Sequence, residues 1–307
     1  MQKILAIVSL LFFTGQNSAQ IPKVVGGRIE RISDFSSQYV TPRKVDVWLP
    51  ADYSASKKYA VLYMQDGQML YDPEMTWNKQ SWNVDAVISA LIRKQKIQNT
   101  IIVGIWNDSK LRHFDYFPQK PFDSLTAAEK DTVRAQLTKS GRSDQVFCPN
   151  SDHYLKFLVQ ELKPFIDKKY STYKDRAHTF IAGSSMGGLI SMYAICEYPK
   201  VFGGAACLST HWTGTFTNKN NPFPESVLKY LNKNLPDPKT HKIYFDCGDQ
   251  TLDALYPEIQ KKVDIIMREA GYTETNWKTL YFPGENHSEE AWNKRLHLPL
   301  EFLLKKK

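Results

Sequence analysis

The amino-acid sequence predicts an α/β fold in which a mostly parallel central sheet carries helices on both faces and has an antiparallel N-terminal edge. Continuous apolar runs at 59–67 and 101–107 have the pattern of strands that are buried on both faces. Strand-like and helix-like segments alternate from there on. The edge is predicted because residues 26–37 and 43–50 alternate apolar and polar side chains. With 307 residues, 42% of them hydrophobic, the chain can bury a large core, and we predict one domain over 20–307.

The later elements follow from their local patterns. Apolar residues at helical spacing predict a helix over 83–94 and an amphipathic helix over 154–170. Between them lies an insertion near 108–150 with a helix over 125–139, an arrangement typical of a lid or of a decorated loop. The remaining predictions are, in order, a strand over 179–182 followed by a helix, a strand over 203–209, an insertion near 213–240 with a helix over 224–233, a strand over 242–248, a helix over 253–271, a strand over 277–284 and a terminal helix over 289–306 with a kink at Pro299.

Residues 1–19 have the features of a signal peptide. Lys3 supplies a positive charge, and residues 4–13 form an apolar stretch that is too short to span a bilayer as a mature helix. Small residues at Ser18 and Ala19 precede a plausible cleavage point at Gln20. We therefore expect an exported protein, periplasmic or secreted, without a membrane span.

The charge and the motifs argue against several classes of partner. The formal net charge is +8, but the basic residues are scattered and no nucleic-acid-binding motif accompanies them, so we expect no nucleic-acid partner. Zinc-binding, Walker and dinucleotide-binding patterns are missing from the sequence, so no metal or cofactor is implied.

Four cysteines would permit up to two disulfides in an oxidising compartment. Three of them, Cys196, Cys207 and Cys247, lie in apolar runs. A buried free thiol behaves there as a small hydrophobic side chain, which is the interpretation that the pattern favours.

A Gly-x-Ser-x-Gly pattern at 183–187 stands between a predicted strand and a predicted helix. In a tight strand-to-helix turn the residues two positions on either side of the tip must be small, and Gly183 and Gly187 satisfy that demand around Ser185. Ser184 does not fit the spacing. Ser185 is therefore the candidate nucleophile, and the alternative interpretation is an ordinary helix cap with glycines for close packing.

A serine nucleophile needs a base and an orienting acid, which follow it in the order Ser, Asp or Glu, His in this kind of sheet. That order leaves His287, in a loop just after the last predicted strand, as the candidate base. The acid should follow the strand at 242–248, where Asp253 is the first choice and Asp249 the second. Asp253 could instead serve as a helix N-cap.

Two backbone N–H groups should stabilise the oxyanion that forms during attack on a carbonyl. One is the amide of Met186, directly after the nucleophile. The other is predicted at Gln68, in the loop after the strand at 59–66, where Gly67 permits a close approach of the backbone. Asp66 is interpreted as a turn-former in that loop.

At this point the chain resembles the esterase D-like branch of the α/β hydrolases, over nearly all of residues 20–307. The segments that carry the likeness are VDVWLPADYSASKKYAVLYMQDGQ, FLVQELKPFIDKKYST, IAGSSMGGL and GENHSEEAW. The resemblance implies the α/β-hydrolase fold and acyl transfer in two steps through an acyl-enzyme. In a feruloyl-type relative a Gln follows the acid by seven residues, as Gln260 follows Asp253. The loop here is two residues longer than in that relative, so Asp249 stays open.

The branch includes feruloyl, acetyl-xylan and enterochelin esterases. Combined with export, the resemblance favours acetyl or feruloyl esters of polysaccharide as substrates. The alternatives are a siderophore esterase, an acyltransferase that uses the same triad, and an inactive binding protein. The candidate substrate-binding residues are Gly67, Trp82, Arg112 and Trp212.

Overall fold

The computed structural model describes residues 20–143 and 146–306. The predicted signal peptide, residues 1–19, lies outside the described residues. Within the described ranges, none of the helices combines the length and the apolar character that crossing a membrane requires.

Eight strands of the described chain form one sheet in the order β1-β2-β4-β3-β5-β6-β7-β8. Their bounds are Arg28–Phe35 (β1), Arg43–Leu49 (β2), Ala60–Gln65 (β3), Thr100–Ile105 (β4), Thr179–Ser184 (β5), Gly204–Leu208 (β6), Lys242–Cys247 (β7) and Trp277–Tyr281 (β8). β2 pairs antiparallel with both β1 and β4, whereas the other neighbouring strands pair in parallel. The predicted α/β architecture with an antiparallel N-terminal edge is confirmed.

Helices cover both faces of the sheet. Their bounds are Val84–Arg93 (α1), Arg112–Tyr116 (α2), Gln119–Asp123 (α3), Ala127–Lys139 (α4), Ser151–Lys156 (α5), Lys163–Lys169 (α6), Met186–Glu197 (α7), Phe223–Asn234 (α8), Pro257–Glu269 (α9), Glu289–Arg295 (α10) and His297–Leu304 (α11). Short 3-10 turns span Gly67–Met69, Pro73–Met75, Arg176–His178 and Thr251–Leu255.

Two apolar cores account for the continuous hydrophobic strands. Alternate residues of β3 point to opposite faces, so Val61 packs in one core and Leu62 in the other. The first core contains the buried faces of α5 to α9, and the second contains those of α1, α10 and α11. Because both faces of the central strands are buried, their sequences show no polar alternation.

Two helices differ from the prediction. The segment 154–170 is interrupted by a π-helical stretch at Phe157–Leu162, which ends two residues before Pro164, a residue that lacks the N–H that a regular helix would use. The terminal segment is divided at Leu296 into α10 and α11, three residues before Pro299. A proline has no N–H to donate to the carbonyl four residues earlier, here that of Arg295, so the break lies where a kink caused by Pro299 is expected. Pro299 lies in the first turn of α11, where a missing N–H costs no hydrogen bond.

The strand order places a crevice at one edge of the sheet. The chain goes from β3 to β4 on one side and then crosses to β5 on the other side of β3. At such a switch point the connections that leave the carboxyl ends of the two strands diverge, and ligands bind in the gap between them. The segments after β3 and β5 are therefore the expected walls of a site.

Candidate active site

Ser185 lies at the tip of the turn between β5 and α7. Its backbone has φ 56° and ψ −125°, a conformation that residues other than glycine seldom adopt. A Cβ added at Gly183 would lie 2.6 Å from the Gly187 carbonyl group, and one added at Gly187 would lie 3.0 Å from Gln65. The small residues are thus a steric condition for the turn, and Ser184 remains the last residue of the strand.

Asp253 and His287 form a close pair beside this turn. His287 Nδ1 lies 2.5 Å from Asp253 Oδ1, and the backbone N–H of His287 donates to Thr251 Oγ1 at 3.0 Å. Asp253 follows β7 and His287 follows β8. The second choice of acid, Asp249, instead accepts hydrogen bonds from the hydroxyl of Tyr281 and from the N–H of Gly284. The geometry therefore favours Asp253 as the partner of His287.

Two hydrogen-bond donors hold the carboxylate oxygen of Asp253 that does not face His287. Asp253 Oδ2 accepts the Ser209 hydroxyl at 2.7 Å and the Gly248 N–H at 2.6 Å. Ser209 Oγ in turn accepts from Arg295 Nη2 at 3.0 Å, and Arg295 also pairs with Asp246 at 3.0 Å. Both partners of that ion pair are at least 97% buried, as their side-chain exposures are 3% and 0%. The ion pair between Arg295 and Asp246 therefore fixes Ser209, which in turn holds Asp253.

Replacing Arg295 with methionine should lower the free energy of unfolding by about 3–5 kcal/mol at neutral pH, because Asp246 would keep a buried charge without its cation. Burial already raises the pKa of Asp246, and the loss of Arg295 raises it further. A carboxyl group whose pKa is raised on folding costs stability as the pH rises through that folded pKa. The deficit of the variant should therefore shrink as the pH falls towards the unfolded pKa, which urea unfolding at neutral and at mildly acidic pH measures.

The control for this prediction is Arg134→Met, which breaks a surface pair with Asp131 at 3.0 Å. Exposed pairs of this kind contribute at most about 1 kcal/mol. Equal losses in the two variants would show that the buried ion pair does not anchor this part of the fold.

A cavity of about 600 Å³ opens at the crevice. The predicted residues that line it are Ser185, Met186, His287, Gln68, Trp82 and Arg112. Trp212, a predicted substrate-binding residue, does not line the cavity. It is 1% exposed in the core, where its ring packs on Phe245 and its indole N–H donates to Gln260 Oε1 at 2.9 Å. Gly67 does not line the cavity either, because it packs on β4, where an added Cβ would lie 2.6 Å from Gly104.

Gln68 and Met186 come from the two segments that flank the switch point. Gln68 follows β3 in a 3-10 turn, and its side-chain Oε1 accepts the N–H of Asn107 at 3.2 Å. Asp66 begins that turn in the left-handed conformation, with φ 57°. Arg112 binds Asp66 through two hydrogen bonds of 2.8 and 2.7 Å, so its charge is already paired. Arg112 therefore holds the loop that contains Gln68.

Sequence reasoning missed two buried histidines in the cavity wall, His113 and His211. His211 Nδ1 lies 2.6 Å from the hydroxyl of Tyr256. Burial lowers the pKa of His113 to about 3 and that of His211 well below its usual range, so both rings are neutral. Chain order excluded them as the base, and no other sequence signal points to their place in the wall.

Ser185 and His287 line the same cavity, yet no hydrogen bond joins Ser185 Oγ to His287 in the described part of the chain. Contacts of this kind commonly tighten only when a substrate binds. The site thus brings together a serine at the tip of a strained turn, an imidazole paired with a carboxylate and two segments able to supply amide donors.

The chain is similar to several known esterases. A bifunctional endo-1,4-beta-xylanase/feruloyl esterase of Xylanibacter ruminicola is 26% identical over 295 residues, which are 91% of this chain and 32% of that protein. Among solved structures, the ferulic acid esterase AmCE1/Fae1A of Anaeromyces mucronatus has a TM-score of 0.62 at 19% identity, with 93% of this chain and 92% of that chain covered. The enterobactin esterase FES of Shigella flexneri has a TM-score of 0.62 at 16% identity, with 92% and 60% covered.

These structural likenesses give the α/β-hydrolase fold. The family described as "Putative esterase" matches residues 36–299, which is most of the chain. The chain therefore belongs to this esterase family, and it is a carboxylic ester hydrolase.

Proposed function

We propose that the protein is an exported serine esterase that acts through an acyl-enzyme on acetyl or feruloyl esters of polysaccharide. The observation that carries the proposal is the pair of His287 and Asp253, 2.5 Å apart, in the wall of the cavity that also contains Ser185 at its strained turn. These three residues are the proposed triad. They follow one another in the chain order that α/β hydrolases use.

In the proposed mechanism, His287 takes the proton of Ser185 as Oγ attacks the ester carbonyl carbon. The amides of Met186 and Gln68 stabilise the resulting oxyanion. His287 then gives the proton to the departing alcohol, which leaves the acyl group on Ser185. A water molecule, deprotonated by His287, hydrolyses this acyl-enzyme, and Ser185 recovers its proton. Asp253 keeps the proton of His287 on Nδ1 and stabilises the imidazolium that forms in both steps.

Three lines of support favour a polysaccharide ester. The relative from Xylanibacter ruminicola joins a xylanase to a feruloyl esterase, and AmCE1/Fae1A is a ferulic acid esterase. Residues 1–19 have the sequence features of an export signal, and export would bring the enzyme to polymers outside the cell. Trp82 and Trp292 are 3% and 4% exposed and line the cavity with ring centroids 5.5 Å apart, so they give it an apolar wall against which a sugar or an aromatic acyl group would pack.

A second candidate function is the hydrolysis of a siderophore ester. Arg142 lies in the cavity wall with its guanidinium 4.8 Å from the centre of the Phe216 ring. A cation over an aromatic wall would attract an aryl group that carries phenolic oxygens. The fold likeness to the enterobactin esterase FES agrees with this candidate.

Labelling with a fluorophosphonate tests the serine mechanism. We expect one adduct per chain, and peptide mapping should place it on Ser185, because this serine lies at the strained turn in the cavity wall that also contains the proposed base. Heat-unfolded protein is the control and should not react. An adduct on Ser184, or no adduct in a folded protein, would contradict the proposal.

A panel of acetyl-xylan, methyl ferulate and a siderophore triester separates the substrate candidates. We expect turnover of one of the first two, and preferential turnover of the triester would favour the second candidate. Analysis of the products with and without an added sugar acceptor would reveal an acyltransferase.

A further inference from the structure

Trp77 is an exposed tryptophan at the mouth of the cavity. Its side chain is 85% exposed, although it belongs to the loop that connects β3 to α1 and lines the same cavity as Ser185. A large aromatic ring left in solvent costs hydrophobic free energy and buries nothing of this fold. Trp77 is therefore a candidate contact for a ligand that enters the cavity.

The loop of Trp77 belongs to the side of the cavity on which His287 lies. Asn78 Nδ2 donates to Glu289 Oε2 at 2.8 Å, and Glu289 begins α10 two residues after His287. In the proposed mechanism His287 hands its proton to the oxygen of the departing alcohol, so that alcohol must occupy the His287 side of Ser185. The wall formed by Trp77, Asn78 and Gln80 therefore faces the alcohol part of the ester.

This wall also offers an unused hydrogen-bond acceptor. In the described part of the chain, Gln80 Oε1 is buried and has no hydrogen-bond partner, and Gln80 lines the cavity. Buried polar atoms nearly always have a partner, so an unpaired one in a cavity wall points to a ligand or a bound water. A hydroxyl group is a suitable donor to this amide oxygen.

We propose that Trp77 and Gln80 form a subsite for the sugar that carries the ester. A sugar ring has an apolar C–H face, which would stack on the Trp77 indole, and hydroxyl groups at its edge, one of which would donate to Gln80 Oε1. The subsite rests on the proposed function and deepens it, because it assigns the departing alcohol to the carbohydrate class and to a stated wall of the cavity.

The test compares esters that share an acyl group but differ in the alcohol. Acetylated xylo-oligosaccharide is paired with p-nitrophenyl acetate, and feruloylated arabinoxylo-oligosaccharide is paired with methyl ferulate. Trp77→Ala should raise KM for the sugar ester of the active pair about tenfold, the size of a lost aromatic contact, and leave kcat/KM for the sugar-free ester within about twofold. Gln80→Ala should raise the same KM by a smaller factor.

The matched control is Ile265→Ala on α9, which removes a half-exposed apolar side chain that does not line the cavity. This substitution should leave KM unchanged for both the sugar ester and the sugar-free ester. Tryptophan fluorescence gives a readout without turnover: xylo-oligosaccharide should quench the emission of Ser185→Ala, and Trp77→Phe in that background should remove the quenching.

Three results in Trp77→Ala and Gln80→Ala would overturn the subsite. They are equal changes in KM for both esters of a pair, no change in KM for either ester, and a loss of activity confined to a siderophore triester. These outcomes are distinct from failure of the proposed function. If only the sugar subsite is wrong, Ser185→Ala is still inactive. If Ser185→Ala keeps full activity, the serine mechanism itself is wrong.

Discussion

Ser185→Ala is expected to lower kcat for p-nitrophenyl acetate by about 10⁵-fold, since knocking out the nucleophile of a serine hydrolase removes the covalent route altogether. The residual rate would come from the oxyanion donors and from substrate binding. Because alanine only removes one oxygen from a residue whose φ of 56° is set by the surrounding turn, the fold should persist. A spectrophotometric assay of p-nitrophenol release measures the loss, and circular dichroism checks the fold.

Ser184→Ala is the matched control for this prediction. Ser184 ends β5 and pairs with Leu208 of the neighbouring strand, so its backbone, not its hydroxyl, places the turn. We expect its activity to stay within about threefold of the native value, as for a substitution that leaves the reacting groups in place. Loss of activity in Ser184→Ala with activity retained in Ser185→Ala would reverse the assignment of the nucleophile.

Asp253→Asn is expected to lower kcat by about 10³ to 10⁴-fold, because an amide would fix His287 in the wrong tautomer. The Ser209 hydroxyl and the Gly248 N–H both donate to Asp253 Oδ2, so the carbonyl oxygen of an asparagine must take that position. Its NH₂ group would then face His287 Nδ1 and force the ring proton onto Nε2. A ring that carries its proton on Nε2 is unable to accept one from Ser185.

Asp249→Asn is the companion variant and should retain activity within about threefold, as expected for a group outside the reacting set. Its carboxylate accepts from the Tyr281 hydroxyl at 2.6 Å and from the Gly284 N–H at 2.9 Å, and these contacts shape the loop that precedes His287. Steady-state kinetics of both variants with one ester would compare the two acids directly. A larger loss in Asp249→Asn would reverse their assignment.

The turn around Ser185 could be predicted from sequence because its requirement is local. Glycines at 183 and 187 and a strand followed by a helix are all visible in ten residues. The choice between Asp253 and Asp249 was harder, since it depends on which side chain reaches His287 across a gap of more than thirty residues. Only the three-dimensional path of the loops after β7 and β8 carries that information.

The aromatic residues show where sequence reasoning failed. Trp212 was a candidate for the cavity and lies in the core, whereas Trp77 was not considered and stands 85% exposed at the mouth. Both lie in irregular segments, where no periodicity tells an inward side chain from an outward one. The terminal segment was predicted as one helix kinked at Pro299, whereas the structure divides it into two helices at Leu296, because proline acts on the turn that precedes it.

The order of the strands has a consequence for the making of the enzyme. The proposed nucleophile follows β5, whereas the proposed acid follows β7 and the proposed base follows β8, so about a hundred residues separate Ser185 from His287. A domain generally folds as a unit. The proposed triad is therefore complete only when β8 and the segment after it have joined the sheet. Activity should thus report the completion of the whole domain, and a chain truncated before residue 287 should be inactive, however well its earlier strands have formed.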